Sequence, residues 1–133
     1  MDFTRFKYGC ELILWGFFKK LVIADRAVIA INTVVADYNS YNGTTLTFTV
    51  LLYALQLYAD FSGGIDISRG IAQILGIDMA ENFRRPYFSN SINEYWRRWH
   101  ITLGAWMKEY IFYPLSLSSA FLTASKKMVL DAN

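Results

Sequence analysis

The chain has 133 residues, of which 54% are apolar, 17% aromatic and only 18% charged, with a mean hydropathy of +0.22. Soluble domains carry about 25% charged residues, so this balance excludes intrinsic disorder and argues against an ordinary soluble domain. Two Pro and a single Cys, Cys10, exclude a Pro-rich linker, an intrachain disulfide framework and a cysteine-based zinc site. The 13 Lys and Arg against 11 Asp and Glu give a net charge of +2, too small an excess to imply a nucleic-acid partner. The basic residues fall in pairs, Lys19-Lys20, Arg84-Arg85, Arg97-Arg98 and Lys126-Lys127, each beside an apolar or aromatic stretch, as expected where a chain meets a membrane surface.

The amino-terminal stretch lacks a signal-peptide pattern, because the apolar run Leu12 to Phe18 closes on two lysines with no small-residue cleavage site. Cys10 follows Lys7-Tyr8-Gly9 rather than an apolar run, which argues against a lipoprotein signal. Leu12 to Val35 suits a helix throughout, with charges only at Lys19, Lys20, Asp25 and Arg26, which helical spacing groups near one another. Such a helix either lies in the membrane interface or spans with its charged stripe facing other helices or water. Asp37 to Gly43 is a loop dense in turn formers. The uncharged interval Tyr38 to Ala59, with its apolar core Leu46 to Ala59, predicts a spanning helix in preference to a buried soluble one. That core is short of the roughly 20 residues that cross the hydrocarbon, so its flanking Thr, Asn and Tyr are expected at the headgroups.

Asp60-Phe61-Ser62-Gly63-Gly64 is expected to break that helix, and Ile65 to Leu75 to resume as a short helix carrying Arg69. Gly76 to Pro86 reads as a turn, a brief acidic segment and a Pro stop. Ser91 and Glu94 form a capping box that opens a helix expected to run to about Phe112, where Pro114 stops it. Beyond Leu115, Ala120 to Ala124 and Lys126-Lys127 mark the start of a further element over 119–133. No internal repeat is evident.

On the helix from Ser91, Trp96, Trp99, Leu103, Trp106 and Tyr110 recur at steps of three and four as one aromatic face, and Glu94 is placed to pair with Arg98. Spacing alone favours an amphipathic helix with its aromatics in a core or at the lipid interface. His100, the single histidine, is either a satisfied structural residue, which its setting favours, or a general base tuned by apolar neighbours and the adjacent guanidinium pair. One histidine cannot build a histidine-rich metal site, and no Gly-x-Ser-x-Gly elbow supports a serine triad. Asp60 and Asp66 bracket a Gly pair; Asp60 is expected to cap the following helix or to lie in a hydrated cavity, and a paired-carboxylate site is weakly signalled. Gly63-Gly64 lacks the spacing of a phosphate-binding loop or a dinucleotide fingerprint, so no cofactor is expected. Single-strand nucleic-acid stacking is disfavoured by the uncharged interval and the slight net charge.

Six segments in order carry a resemblance: Gly16 to Arg26, Leu57 to Gly63, Leu75-Gly76-Ile77, Glu81 to Ser89, Trp96-Arg97-Arg98-Trp99-His100 to Leu103, and Tyr110 to Leu115. Together they resemble the membrane-bound O-acyltransferase family, in the bacterial branch that holds alginate O-acetyltransferase and the D-alanyl transfer protein of teichoic acid modification. The resemblance covers residues 8–118. It implies an all-α, integral membrane protein of the bacterial plasma membrane, with 1–133 as part of a multi-span helical tunnel that includes short interfacial helices. There an activated acyl group, acetyl by preference, passes to a hydroxyl of a cell-envelope polysaccharide; D-alanyl transfer to teichoic acid is the alternative. The implied partners are membrane lipid, an acyl donor, a hydroxylated glycopolymer and other proteins of an acylation system, with no nucleic acid and no metal.

Carried over by position, His100 is one of two histidines the family is thought to need. Trp96, Arg97, Arg98 and Trp99 are candidates for contact with substrate, Arg97 and Arg98 as cationic partners of a charged donor or lipid headgroup. Asp60, Ser62 and Asn82 are polar tunnel or fold-supporting candidates. The second histidine belongs to a Trp-His-Gly type motif that this sequence does not reach by Asn133, and family members begin with spans upstream of Met1. An internal fragment is therefore expected. The alternatives are a catalytically inactive membrane fragment or accessory helical subunit, and a soluble amphipathic helical domain.

Overall fold

The computed structural model describes residues 3–118, so the element expected over 119–133 lies outside the described residues. Every regular element described is helical, and the one β-type pairing is an isolated bridge between Phe83 and Trp99. The chain divides into two compact units, Met1–Ala80 and Glu81–Asn133.

The first unit is helical from Phe3 to Ala36, as α1 (Phe3–Phe17), a run of wide π turns (Phe18–Ala24) and α2 (Asp25–Ala36). After a short 3-10 turn (Tyr38–Ser40), Asn42 opens α3 (Gly43–Ile74) by accepting a hydrogen bond on its side chain from the Thr45 N–H at 2.9 Å. At the far end Gly76 takes a left-handed φ of +83°, which a side chain would resist. There the Ile77 N–H donates to the Ala72 carbonyl at 2.8 Å and the Gly76 N–H to that of Gln73 at 3.1 Å, closing the helix. Arg5 ties the start of α1 to this turn, donating to the Gly76 carbonyl at 2.9 Å and to both Asp78 oxygens at 2.6 and 2.8 Å.

α1 and α3 run antiparallel and meet at two glycine pairs. A Cβ on Gly16 would lie 2.6 Å from the Gly63 carbonyl oxygen, and one on Gly63 would lie 2.8 Å from that of Gly16. Two turns away the same holds for Gly9 and Gly70, at 2.8 and 2.6 Å. No side chain larger than hydrogen fits at these four positions without moving backbone, so the helices approach through their main chains. The next turns carry charge instead. Lys19 is buried and donates to the Ser62 hydroxyl at 2.9 Å and to Asp66 at 2.6 Å, while Lys20 pairs with Asp60 at 2.5 Å and Arg69 flanks Asp66 at 3.6 Å. Consecutive side chains on an α-helix point about 100° apart; the π turns at Phe18–Ala24 widen the helix so that Lys19 and Lys20 both reach α3.

These contacts overturn three expectations. Asp60 to Gly64 does not break a helix but lies inside α3, because Asp60 is neutralised by Lys20 and Gly63 is the contact point with α1. Asp60 is accordingly no cap, and Ile65 to Ile74 is the end of α3 rather than a separate helix. Of the four charges of the first helix, Lys19 and Lys20 face α3 and Asp25 and Arg26 are exposed. No helix among the described residues is long and apolar enough to cross a membrane, the predicted span of Tyr38 to Ala59 included: α3 starts at Gly43 and continues into its polar half.

Side-chain burial in this unit is inverted relative to a soluble protein. The buried apolar residues are Ala24, Ile31, Ala59 and Ala72, while Leu14, Trp15, Val22, Phe48, Val50, Leu51 and Leu55 are each more than half exposed.

The second unit begins with extended chain to Phe83, a left-handed Arg85 and a 3-10 turn (Pro86–Phe88). It continues with α4 (Ile92–Arg98), α5 (Ile101–Met107), π turns (Lys108–Phe112) and α6 (Tyr113–Ser116). The expected capping box is present with its return bond shifted by one residue, to Asn90 rather than to the Ser91 N–H. Ser91 Oγ accepts from the Glu94 N–H at 3.1 Å, Glu94 reaches back to accept from the Asn90 N–H at 2.8 Å, and its other oxygen pairs with Arg98. The helix does not run on to Phe112, because the chain breaks at Trp99 and His100; nor does Pro114 stop it, since the preceding π turns relieve the clash of the pyrrolidine ring.

Gly16→Ala is expected to lower the stability of the full-length protein by about 1–3 kcal/mol through overpacking. Gly64→Ala, at a position open to solvent, is expected to be neutral or stabilising. Thermal unfolding in detergent checks both, and equal stability of the two would exclude the close contact. Lys19→Met is expected to cost up to about 3–5 kcal/mol by leaving Asp66 with only the longer contact to Arg69, and the double change Lys19→Met with Asp66→Leu to cost less than the single one. The Asn90 N–H, followed by Arg98, holds the Glu94 carboxyl below its ordinary 4.5. A lowered folded-state value contributes stability above pH 4.5 and loses it as pH falls through the folded-state value, so amide-exchange protection factors in α4 should fall there, and not in Glu94→Gln.

Candidate functional site

The second unit gathers most of the sequence-predicted residues around one strained turn. His100 adopts a left-handed backbone, φ +44° and ψ +58°, which costs a non-glycine residue of the order of 1 kcal/mol or more. Such a conformation persists only where its surroundings fix it. Here the buried Asn82 accepts on its side-chain oxygen from the Thr102 N–H at 3.0 Å and the Thr102 hydroxyl at 2.6 Å, and its own carbonyl accepts from the Ile101 N–H at 3.1 Å. On the other side of the turn the Arg84 N–H donates to the Arg98 carbonyl at 3.0 Å, and Phe83 meets Trp99 edge to face with ring centroids 5.0 Å apart.

His100 is thereby the N-cap of α5, its Nδ1 accepting from the Leu103 N–H at 3.3 Å. An imidazole that accepts at Nδ1 carries the proton of its neutral form on Nε2. Its ring is half-buried, 6.2 Å from that of Phe83.

The expected single aromatic face is split by this turn. Trp99 stacks on Tyr95 at 5.7 Å and nears Tyr87, whereas Trp106 stacks on Tyr110 at 5.8 Å along the next helix. The arginine pair is split as well. Arg98 is held by Glu94 and reaches the Phe88 carbonyl, while Arg97 is exposed and in no ion pair among the described residues. Between α4 and α5 lies an open groove of about 360 Å³, lined by Asn93, Trp96, Arg97, Ile101, Gly104, Ala105 and Lys108.

Asp60 and Ser62 belong to the first unit, where they are engaged by Lys20 and Lys19. Ser62 is buried and Asp60 half-buried, so both act there as acceptors that hold lysines. Sequence reasoning passed over Lys19 and Asp66 as partners and Thr102 as the anchor of Asn82. Lys19 at one end of an apolar helix and Asp66 within another were visible signals, since charges in such settings demand partners.

The sequence matches the family described as MBOAT, membrane-bound O-acyltransferase family, over residues 2–130. It is 40% identical over 111 residues to the "Probable alginate O-acetylase AlgI" of Pseudomonas putida, covering 84% of this chain and 23% of that protein. It is 40% identical over 120 residues to the peptidoglycan O-acetyltransferase of Helicobacter pylori, covering 86% of this chain and 22% of the relative. With the teichoic acid D-alanyltransferase of Bacillus subtilis it shares 32% identity over 106 residues, covering 78% of this chain and 26% of the relative. The chain thus spans about a quarter of the length of these curated relatives. With that match over nearly its whole length, the chain belongs to the membrane-bound O-acyltransferase family.

Proposed function

We propose that this chain is part of a multi-pass O-acyltransferase of the bacterial plasma membrane that transfers an acetyl group to a hydroxyl of a cell-envelope polysaccharide. Acetyl is preferred over D-alanyl because the two O-acetylating relatives are 40% identical and the D-alanyl relative 32%. Membrane placement is supported by the inverted burial of the first unit. The charges that dilute the hydropathy of its helices are paired with each other, Lys19 with Asp66 and Lys20 with Asp60, so they need not face lipid.

The observation that carries the site is the left-handed His100, held in place by Asn82 on one side and by the Arg84, Arg98 and Phe83 contacts on the other. His100 is the catalytic residue in this proposal. Its imidazole takes the proton of the acceptor hydroxyl, the oxygen attacks the acyl carbonyl carbon, and as the bond from that carbon to the donor breaks the imidazolium returns the proton to the leaving group. Because Nδ1 is the accepting nitrogen, the hydroxyl must first replace the Leu103 N–H there. Giving up a helix cap costs about 0.5–2 kcal/mol. General-base help of 10²–10⁴-fold lowers the barrier by roughly 2.7–5.4 kcal/mol, more than that cost, so the barrier through His100 is lower on balance. Asn82 is a positioning residue, Arg98 is held by Glu94 to support the turn, and Trp99 packs behind it. Trp96 and Arg97, both exposed, line the groove between α4 and α5 and are assigned no step in the transfer.

His100→Asn separates chemistry from structure, because asparagine tolerates a left-handed backbone and caps helices but has no basic nitrogen. In membranes containing the full-length protein, this variant should be produced at the normal level and should lose polysaccharide O-acetylation by about 10²–10⁴-fold. Wild-type rates in His100→Asn would overturn the assignment. Asn82→Ala should lower kcat more than it raises KM.

A further inference from the structure

We infer that the groove between α4 and α5 binds the phosphate of an anionic phospholipid headgroup, with Arg97 and Lys108 as its cationic contacts. The inference rests on the membrane placement proposed above but not on the acyl-transfer chemistry.

Eleven Lys and Arg fall within the described residues, and seven of them, Arg5, Lys7, Lys19, Lys20, Arg69, Arg84 and Arg98, are in ion pairs with acids. Of the remaining four, Arg26, Arg85, Arg97 and Lys108, two line the same groove, and no acidic residue lines it. The Lys108 ammonium lies 5.6 Å from the Tyr113 ring centroid, a contact that leaves its charge in place. The one acid close to Arg97 in the chain, Glu94, is committed to Arg98 and to the Asn90 N–H. Two exposed cations that form no ion pair among the described residues therefore converge on one concave surface.

The remaining lining defines the ligand as amphipathic. Trp96 and Ile101 offer apolar walls, and Trp96 is 62% exposed, as an aromatic residue at a membrane interface is. Gly104 leaves the floor low, since a Cβ added there would meet nothing within 4 Å. A phosphodiester presents its oxygens to guanidinium and ammonium groups, and its glyceryl portion to the apolar walls. A volume of about 360 Å³ admits such a headgroup.

Native mass spectrometry of the full-length protein in detergent, titrated with phosphatidylglycerol or phosphatidylcholine, tests the site. Phosphatidylglycerol should bind about tenfold more tightly than phosphatidylcholine. The double variant Arg97→Gln with Lys108→Gln should lose that preference. Gly104→Leu, which fills the groove without changing charge, should weaken binding, and Arg26→Gln, a cation outside the groove, should not. An unchanged preference in the double variant, or no preference in the unaltered protein, would overturn the inference. So would full displacement of the lipid by millimolar glycerol phosphate, which would identify a soluble phosphate ester as the ligand. Because the readout is lipid binding, loss of acetyl transfer in the His100 variants leaves it unaffected.

Discussion

Two glycine pairs, Gly9 with Gly70 and Gly16 with Gly63, set how closely α1 and α3 approach, and much of the first unit follows from that approach. Each helix supplies its glycines seven residues apart, two turns of helix, so the pairs stack along one antiparallel seam. Main chain against main chain leaves no room for large side chains in the seam, and the buried apolar residues of α3 are both alanines, Ala59 and Ala72. The large apolar side chains are displaced to the outside, where a membrane or the rest of a larger protein is the environment that suits them.

Close approach also makes the lysine and carboxylate pairs possible. Lys19 reaches Ser62 and Asp66 because Gly63, one residue beyond Ser62, brings the backbones together at that level. The π turns at Phe18–Ala24 then direct two adjacent lysines to the same partner helix. A buried lysine and aspartate are weak contributors to net stability when both are present and strongly destabilising when one is removed. They fix the register of the seam more than its strength. The long uninterrupted α3 results from the same pairing, because its internal charges and glycines are used by its neighbour.

The second unit is organised by local strain. A left-handed histidine between two seven-residue helices stores free energy that the segment of Asn82 and Phe83 holds in place. The turn sets the directions of Trp99, Arg98 and the imidazole together, and it creates the groove that Arg97 and Lys108 share. A continuous helix through the same residues would have spread these groups around its circumference.

The all-helical class, the loop before Asn42, the capping box at Ser91 and the pairing of Glu94 with Arg98 were legible in the residues, because caps and i,i+4 pairs depend on chain neighbours only. The ordered motifs also identified the family. The breaks and continuities of the helices were not legible. Asp60 to Gly64 reads as a breaker locally, and only the presence of Lys20 and Gly16 across the seam keeps it helical. Trp96 to Tyr110 reads as one face locally, and only Asn82, about twenty residues earlier, bends it at His100. Sequence by itself determined which segments are helical and how some of their ends are capped. Tertiary structure decided where glycine permits contact rather than a turn, and which charges have partners, because both depend on residues brought together from distant parts of the chain.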